Sequence, residues 1–336
     1  MDYIEIKKNS NVVKTLVAQA KHERIDSDVA KRTSEMIAEL AKNPTPHNRY
    51  QIAQLVGFAV NEIVHPKTNW LDQVADTKRV GYGEKAQFKT RLEGVRAYIG
   101  AKGGTPSRSK VANKVITLDT VAVSARPAIN LVEMQNGQVD MASLINDASY
   151  QMELAYYQYI QGVMNAALGT APFESPYYGT GTGVVKATID PMIRHWMRIS
   201  GGAAPTILGD IDMISQLAEL TGFTASTTAK QYSDNIIDEY NATGMIGVYN
   251  GCKVVNLVNP LFDDTDKPVF DTNKLFLLPS GVDASMRPLK VVFEGDVNSK
   301  DNQDIDDMVY EVRLDQYVGA GIIVGTRPYI GVYQSN

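Results

Sequence analysis

The chain has 336 residues, 44% of them hydrophobic, enough to bury a large core and form two domains. Its single cysteine, Cys252, excludes an internal disulfide framework and points to a reducing compartment. No stretch is long and apolar enough to cross a bilayer, and Met1-Asp-Tyr-Ile-Glu-Ile-Lys-Lys lacks a signal-peptide core.

The net charge of −5 hides an asymmetry. Residues 78–114 hold ten Lys or Arg against two acids, a local +8, while 115–336 hold 13 basic and 26 acidic residues, a local −13. A basic insert on an acidic body is self-complementary when the insert reaches a neighbouring copy.

Residues 1–68 read as an arm. Ser27 or Asp28 can cap a helix carrying Val29, Met36, Ile37 and Leu40, which stops before Asn43-Pro44. A second helix with Ile52, Leu55, Val56, Ala59, Val60 and Ile63 starts near Pro46 and stops before His65-Pro66. Two short helices between prolines make a poor core, so they are expected to pack on something else. Beyond Asn69-Trp-Leu-Asp-Gln-Val, Ala86, Phe88, Thr90 and Leu92 share one strand face, with Lys85, Lys89 and Arg91 on the other. Gly100 to Lys110 is too rich in Gly and Pro for a regular element. One strand then carries Ile116, Leu118, Thr120 and Ala122 against Val115, Thr117, Val121 and Val123. The pattern predicts a long hairpin with a basic tip that stands away from the core and settles on another subunit, because an isolated two-stranded hairpin is marginal in water.

Asp140 to Leu168 predicts a single long helix. Met141, Leu144, Ile145, Ala148, Met152, Ala155, Tyr156, Tyr159, Val163 and Ala167 recur at three-and-four spacing. Asp140 can cap its start, and Gly169 with Pro172 can end it. At about 1.5 Å per residue the rod is roughly 43 Å long and needs a broad surface to lie on. A Gly/Pro/Tyr-rich loop follows to Gly183. Then come a helix over Ile189–Ile199 with Asp190 as its cap and Pro191 in its first turn, a buried strand at Pro205–Leu208, and a helix through Ile214, Leu217 and Leu220. Asn235–Tyr240 is a short helix candidate. Strand sequence at Met245–Tyr249, Lys253–Val258 and Lys274–Leu278 makes this region a compact α/β unit. Further strands are expected at Leu289–Glu294, Met308–Leu314 and Ala320–Val324, the last continuing past Arg327-Pro328 to Tyr329–Tyr333.

Chemical motifs are weak. His22, His47, His65 and His195 share no metal-ligand spacing, and Cys252 reads as a small buried hydrophobe. Gly179-Thr-Gly-Thr-Gly183 runs into Val184-Val185-Lys186 instead of the Gly-Lys-Ser/Thr of a phosphate loop, so a flexible loop is the better reading. Ser107 and Lys110 have serine-hydrolase spacing, and Ser233-Asp-Asn235 a matching second motif, but the pair lies in a loop and no Lys-Thr-Gly follows. Asp301, Asp304, Asp306 and Asp307 lack the glycine and glutamate of a calcium loop. Only Tyr82, Phe88 and Tyr98 interleave with the basic residues of the hairpin, too few for a single-strand reader. No catalytic group, cofactor or metal is expected.

The order of elements resembles the major capsid protein of tailed bacteriophages. The carriers are the arm, the basic loop, the helix of Asp140–Leu168, Pro205-Thr-Ile-Leu-Gly-Asp210, Gly247-Val-Tyr-Asn-Gly-Cys-Lys-Val-Val255, Lys274-Leu-Phe-Leu-Leu278 and Met308–Tyr333 with Arg327-Pro328. The resemblance implies an α+β, Hong Kong 97-like fold. Its parts would be an N-terminal arm (1–68), an extended loop (69–126), a peripheral domain (127–188 and 289–320) with its spine helix at 140–168, and an axial domain (189–288 and 321–336). It implies a non-enzymatic shell protein that assembles through pentamers and hexamers in the host bacterial cytoplasm into an icosahedral virion. The loop cations Lys85, Lys89, Arg91, Arg96, Lys102, Arg108 and Lys110 would contact the next subunit. Implied partners are other copies of the chain, a separate scaffolding protein, a portal, optional decoration proteins and enclosed double-stranded DNA held without sequence-specific binding, with no membrane. A cellular nanocompartment shell of the same fold is the alternative.

Overall fold

A computed structural model describes residues 10–67, 71–93, 112–136, 140–167, 174–220, 242–257, 259, 261, 266–280, 283–304, 309–323 and 330–336. In chain order these form helices α1 (Asn11–Ala20), α2 (Ser27–Lys42), α3 (Pro46–Lys67) and α4 (Leu71–Val74), then strand β1 (Asp76–Val80). Hairpin strands β2 (Gln87–Glu93) and β3 (Ala112–Thr117) follow, then β4 (Val121–Ala125), β5 (Ala128–Asn130), α5 (Leu131–Gln135) and α6 (Met141–Ala167). The next elements are β6 (Tyr178–Gly181), α7 (Lys186–Ile199), β7 (Thr206–Gly209), α8 (Ile211–Leu220), β8 (Val248–Tyr249), β9 (Cys252–Asn256) and β10 (Lys274–Leu278). A 3-10 turn at Ala284–Met286 leads to β11 (Leu289–Asp304), β12 (Val309–Ile322) and β13 (Gly331–Ser335). No helix among the described residues is long and apolar enough to cross a membrane.

The long helix stands where the periodicity puts it. Asp140 Oδ1 accepts the backbone N–H of Ala142 at 3.0 Å and of Ser143 at 3.2 Å, which caps α6. Its buried stripe is Met141, Ile145, Ala148, Ser149, Met152, Tyr156, Ile160 and Met164. The stripe therefore runs through Ile160 and Met164, with Tyr159 and Val163 half-buried beside it. Gly169 and Pro172 lie outside the described residues, as do Asn235–Tyr240, Ser107, Lys110, Ser233, Asp306 and Asp307.

The N-terminal helices are part of the core. Between positions 51 and 65 of α3 only Glu62 and His65 are exposed. Ile52, Leu55, Val56, Ala59, Val60 and Ile63 join Ile145, Met152 and Tyr156 of α6 and Val291, Val312 and Leu314 of the sheet in one cluster. α3 lies so close to β11 that a Cβ on Gly57 would sit 2.8 Å from Ser299 Cβ and Oγ. Two boundaries differ from expectation. Asp26, extended at φ −62° and ψ 128°, caps α2 by accepting the Asp28 N–H at 3.0 Å, because a cap must lie outside the helix it starts. α3 continues through His65-Pro66 to Lys67. α1, which the sequence reading did not place, is capped by Ser10 and buries Val13, Leu16 and Ala20 at three-and-four spacing.

Two larger sheets share the work. One runs β1-β11-β12-β4, with β5 also paired to β12; the other runs β6-β13-β10-β7-β9-β8. β10 is buried at both faces: Phe276 and Leu278 join the α3/α6 core, while Leu275 and Leu277 join the second core with Ile193, Trp196, Ile214 and Leu217 of α7 and α8. Asn165 Nδ2 donates to Asp271 Oδ2 at 2.8 Å, and Lys274 Nζ reaches the same oxygen at 2.7 Å, tying the end of α6 to the start of β10. The fold departs from expectation at α7, which starts at Lys186, so that Pro191 falls inside it and Asp190 is no cap. Asp190 Oδ1 instead accepts Tyr249 Oη at 2.8 Å and Asn250 Nδ2 at 2.7 Å. The glycine run at 179–183 begins inside strand β6. A Cβ on Gly179 would sit 2.7 Å from Met192 Sδ, so these glycines let the strand lie flat on α7.

Candidate assembly site: the basic hairpin and its seat

Alternation along β11 builds a seat for the hairpin. Leu289, Val291 and Phe293 point into the α3/α6 core. The next face carries Lys290, Val292 and Glu294, and each meets the hairpin root. Val292 packs with Ala86, Phe88 and Ile323. Lys290 is fully buried; its ammonium reaches Asp76 Oδ2 at 2.9 Å and the carbonyls of Ala284 and Ser285 at 3.1 Å each. Three donors meet three acceptors, so the charge is paired and bonded as burial demands. Burial still pulls the Lys290 pKa down, and Asp76 opposes that pull. Lys78 and Lys290 lie 5.1 and 6.0 Å from the Phe88 ring centroid, near enough for cation–π attraction.

Glu294 holds both legs. Its Oε1 accepts the Gly83 N–H at 2.8 Å and its Oε2 accepts Thr120 Oγ1–H at 2.6 Å. The Thr120 hydroxyl, then the Gly83 amide, hold its carboxyl below the usual glutamate range. Its position in the chain follows from Gly295 (φ +71°), where the pairing of β11 with β12 breaks between Glu294 and Asn298.

The hairpin therefore differs from the free-standing finger expected of it. Its root is folded on its own body: Phe88 is wholly buried, and Ala86 and Thr90 nearly so. The predicted face division holds, with Lys85 and Lys89 exposed opposite those three residues. Lys85 meets Asp119 at 3.8 Å in an exposed pair, which contributes little. Arg91 is in β2, its side chain outside the described residues, and Arg96, Lys102, Arg108 and Lys110 lie outside them altogether. The single strand expected from Val115 to Val123 is two. β3 ends at Thr117 and pairs with β2, β4 starts at Val121 and pairs with β12, and Thr120 turns between them to reach Glu294.

A second feature faces outward. The tandem strands β4 and β5 form an edge of their sheet, and between that edge and the flank of α6 runs a groove of about 900 Å³. Ile129, Leu144, Met152 and Ala155 give it an apolar floor, and exposed Glu133, Asp140 and Asp147 stand along it. Arg126 is tied to Glu311 across the sheet. Asp140 and Asp147, seven residues apart, share one flank in the sequence, but which flank faces a groove depends on where the sheet lies.

Cys252 is buried, and burial pushes its thiol up to about 12, the reverse of a nucleophile's requirement. Among the described residues no group of three or more His, Cys, Asp or Glu is placed to hold a metal ion.

Comparison with known proteins gives the fold and the family. A solved structure from Microbacterium phage Oxtober96 is 12% identical and superposes with a TM-score of 0.50, covering 79% of this chain and 90% of its own. The mature capsid of bacteriophage PhiM1 (14% identity, TM-score 0.49, 79% and 86%) and a virus-like particle from Pyrococcus furiosus (13%, 0.48, 84% and 98%) are similar. The architecture is the Hong Kong 97-like one. A search of curated proteins gives no match. The family described as "SPbeta prophage-derived putative capsid protein YonB" matches residues 3–334. The chain belongs to the YonB family of prophage-derived capsid proteins.

Proposed function

We propose that this capsid protein assembles through hexamers and pentamers into an icosahedral head around double-stranded DNA. The hairpin of each copy lies against the acid-lined groove between α6 and the β4–β5 edge of the next. The observation that carries this reading is a matched pair of surfaces on one chain. Lys85 and Lys89 face away from the body on a segment of net charge +8, and Glu133, Asp140 and Asp147 stand open along an apolar groove. Each such contact is weak and screened by salt, but a subunit in a closed shell makes several at once, and linked contacts multiply. The acidic remainder of the chain suits a container for DNA, since a strongly basic lining would hold the genome too tightly. A separate scaffolding protein and a portal complete the reading as partners.

Electron microscopy of the purified full chain is expected to show shells, tubes or capsomer rings. The double substitution Lys85→Glu/Lys89→Glu should abolish them while leaving the melting temperature of dispersed subunits unchanged. Subunits that stay solitary at high concentration would refute the assembly. Particles recovered from cells with nuclease-protected DNA support a phage head, and particles filled with a protein cargo support a cellular nanocompartment instead.

A further inference from the structure

We propose that Glu294 is the positioning residue of the assembly hairpin: one carboxylate grips both legs at their root and fixes the direction in which the hairpin leaves the body. The inference rests on reading the hairpin as the contact with the next subunit, and it goes beyond that reading by assigning what aims it.

The two grips bracket the hairpin. Gly83 lies before β2 and Thr120 after β3, and each bonds a different oxygen of the same side chain. A hydrogen bond to an ionised acceptor is about twice as strong as a neutral one. Two on one carboxylate couple the legs, so neither can shift without costing the other its partner geometry. Neighbouring contacts favour the same pose without replacing the grip. The Tyr82 and Tyr317 rings meet edge to face at 5.6 Å, and the Lys85–Asp119 pair is too exposed to hold a leg. Gly83 has φ +82°, a conformation that suits glycine and presents its N–H to Oε1. Of the charged and titratable groups nearby, Lys85 acts on Glu294 from the hairpin side, Glu84 holds the Gly81 N–H of the same leg at 2.9 Å, and Tyr82 packs against Gly295 and Tyr317. Lys85 favours the charged carboxylate, and no carboxylate among these groups bonds to it directly.

The sign of the pH dependence follows. The Glu294 pKa is lower in the gripped state than in a released one, so the grip is complete at neutral pH and is lost as pH falls through that lowered range.

Amide-exchange protection factors measured on dispersed, full-length subunits test the grip without requiring assembly. Glu294→Gln keeps the shape but not the charge, and Thr120→Val removes one donor. Each is expected to reduce protection in both legs, at 81–87 and 117–121, by about tenfold, the factor one charge-assisted hydrogen bond is worth. Protection along the β11–β12 pairing and the melting temperature should stay at wild-type values. The wild type should lose protection at Gly83 and around Thr120 on acidification, and Glu294→Gln should show no such step there; Gly81, whose N–H is held by Glu84, stands outside this comparison. Unchanged legs in Glu294→Gln, loss confined to one leg, or loss spread through β11 and β12 each overturn the proposal. A chain whose legs behave as stated but which never forms shells leaves the grip standing and sinks the capsid reading.

Discussion

α3 and α6 lie in the same core and both read as helices, yet only α6 shows in its sequence which flank meets water. α6 has a buried stripe and a wet flank, so its apolar residues stand out against Asn146, Glu153 and Gln161 at regular spacing. α3 is covered by α1, α2, α6 and β11, and even its Gln51 and Asn61 are buried, the latter accepting the Val297 N–H through Oδ1. A helix enclosed on nearly every side still shows its apolar spacing, as Ile52, Leu55, Val56, Ala59, Val60 and Ile63 do, but offers little contrast with a wet face to say how deeply it lies. The prolines near its ends give an arm expected to pack on something else, and it packs on α6 and β11. The difference teaches that apolar spacing gives the helix, and only its contrast with polar residues gives the boundary with water.

Matched charge insertions should sharpen that contrast most. Ala59→Glu puts a carboxylate at a fully buried position of α3, inside the apolar cluster. It is expected to cost about 4 kcal/mol or more and to leave little folded subunit. Ala166→Glu makes the same change at an exposed position of α6 and should shift stability by less than about 0.5 kcal/mol. Thermal melting of both variants makes the comparison. An Ala59→Glu chain that melts like the wild type would mean that α3 can leave the body as a detachable arm.

How much was legible follows the same rule. α6, its Asp140 cap, the inward Phe88 and Thr90 and outward Lys89 of β2, and the buried β7 were readable because each alternates between two environments or ends against a specific side chain. The far half of β11 was not: Asn298-Ser-Lys-Asp-Asn-Gln-Asp304 reads as a polar loop, and it is a strand only because β12 supplies a backbone ladder. Of the proposed assembly site, the outward face carrying Lys85 and Lys89 was legible, while the seat was not. Lys290 and Glu294 look like ordinary outward residues of a strand until Asp76, Phe88, Gly83 and Thr120 are folded over them. The residues that fix the hairpin lie some two hundred positions away in sequence, a separation local pattern cannot bridge.

A middle-sized effect probes how tightly α3 is held. Gly57→Ala adds a Cβ 2.8 Å from Ser299 Cβ, forcing helix and strand apart, at a cost of about 2 kcal/mol. Removing the opposing side chain in Ser299→Gly should recover much of that loss. A double-mutant cycle from denaturant melts should then show coupling between the two positions. Purely additive losses would place the strain elsewhere and weaken the account of α3 as a helix pressed on the sheet.

The smallest expected effect lies at the start of α6. Asp140 is exposed and its work is local: Oδ1 accepts two amides that the helix cannot satisfy itself. Asp140→Ala should cost about 1 kcal/mol, and Asp140→Asn, which keeps an acceptor oxygen there, only a few tenths. The site also belongs to the groove proposed to receive the hairpin, and the two roles separate by measurement. Loss of the cap lowers the melting temperature of dispersed subunits, whereas loss of charge along the groove weakens assembly without touching it. Asp140→Asn should therefore melt like the wild type and assemble less well, and more so as ionic strength falls toward the range where the native charge has most effect.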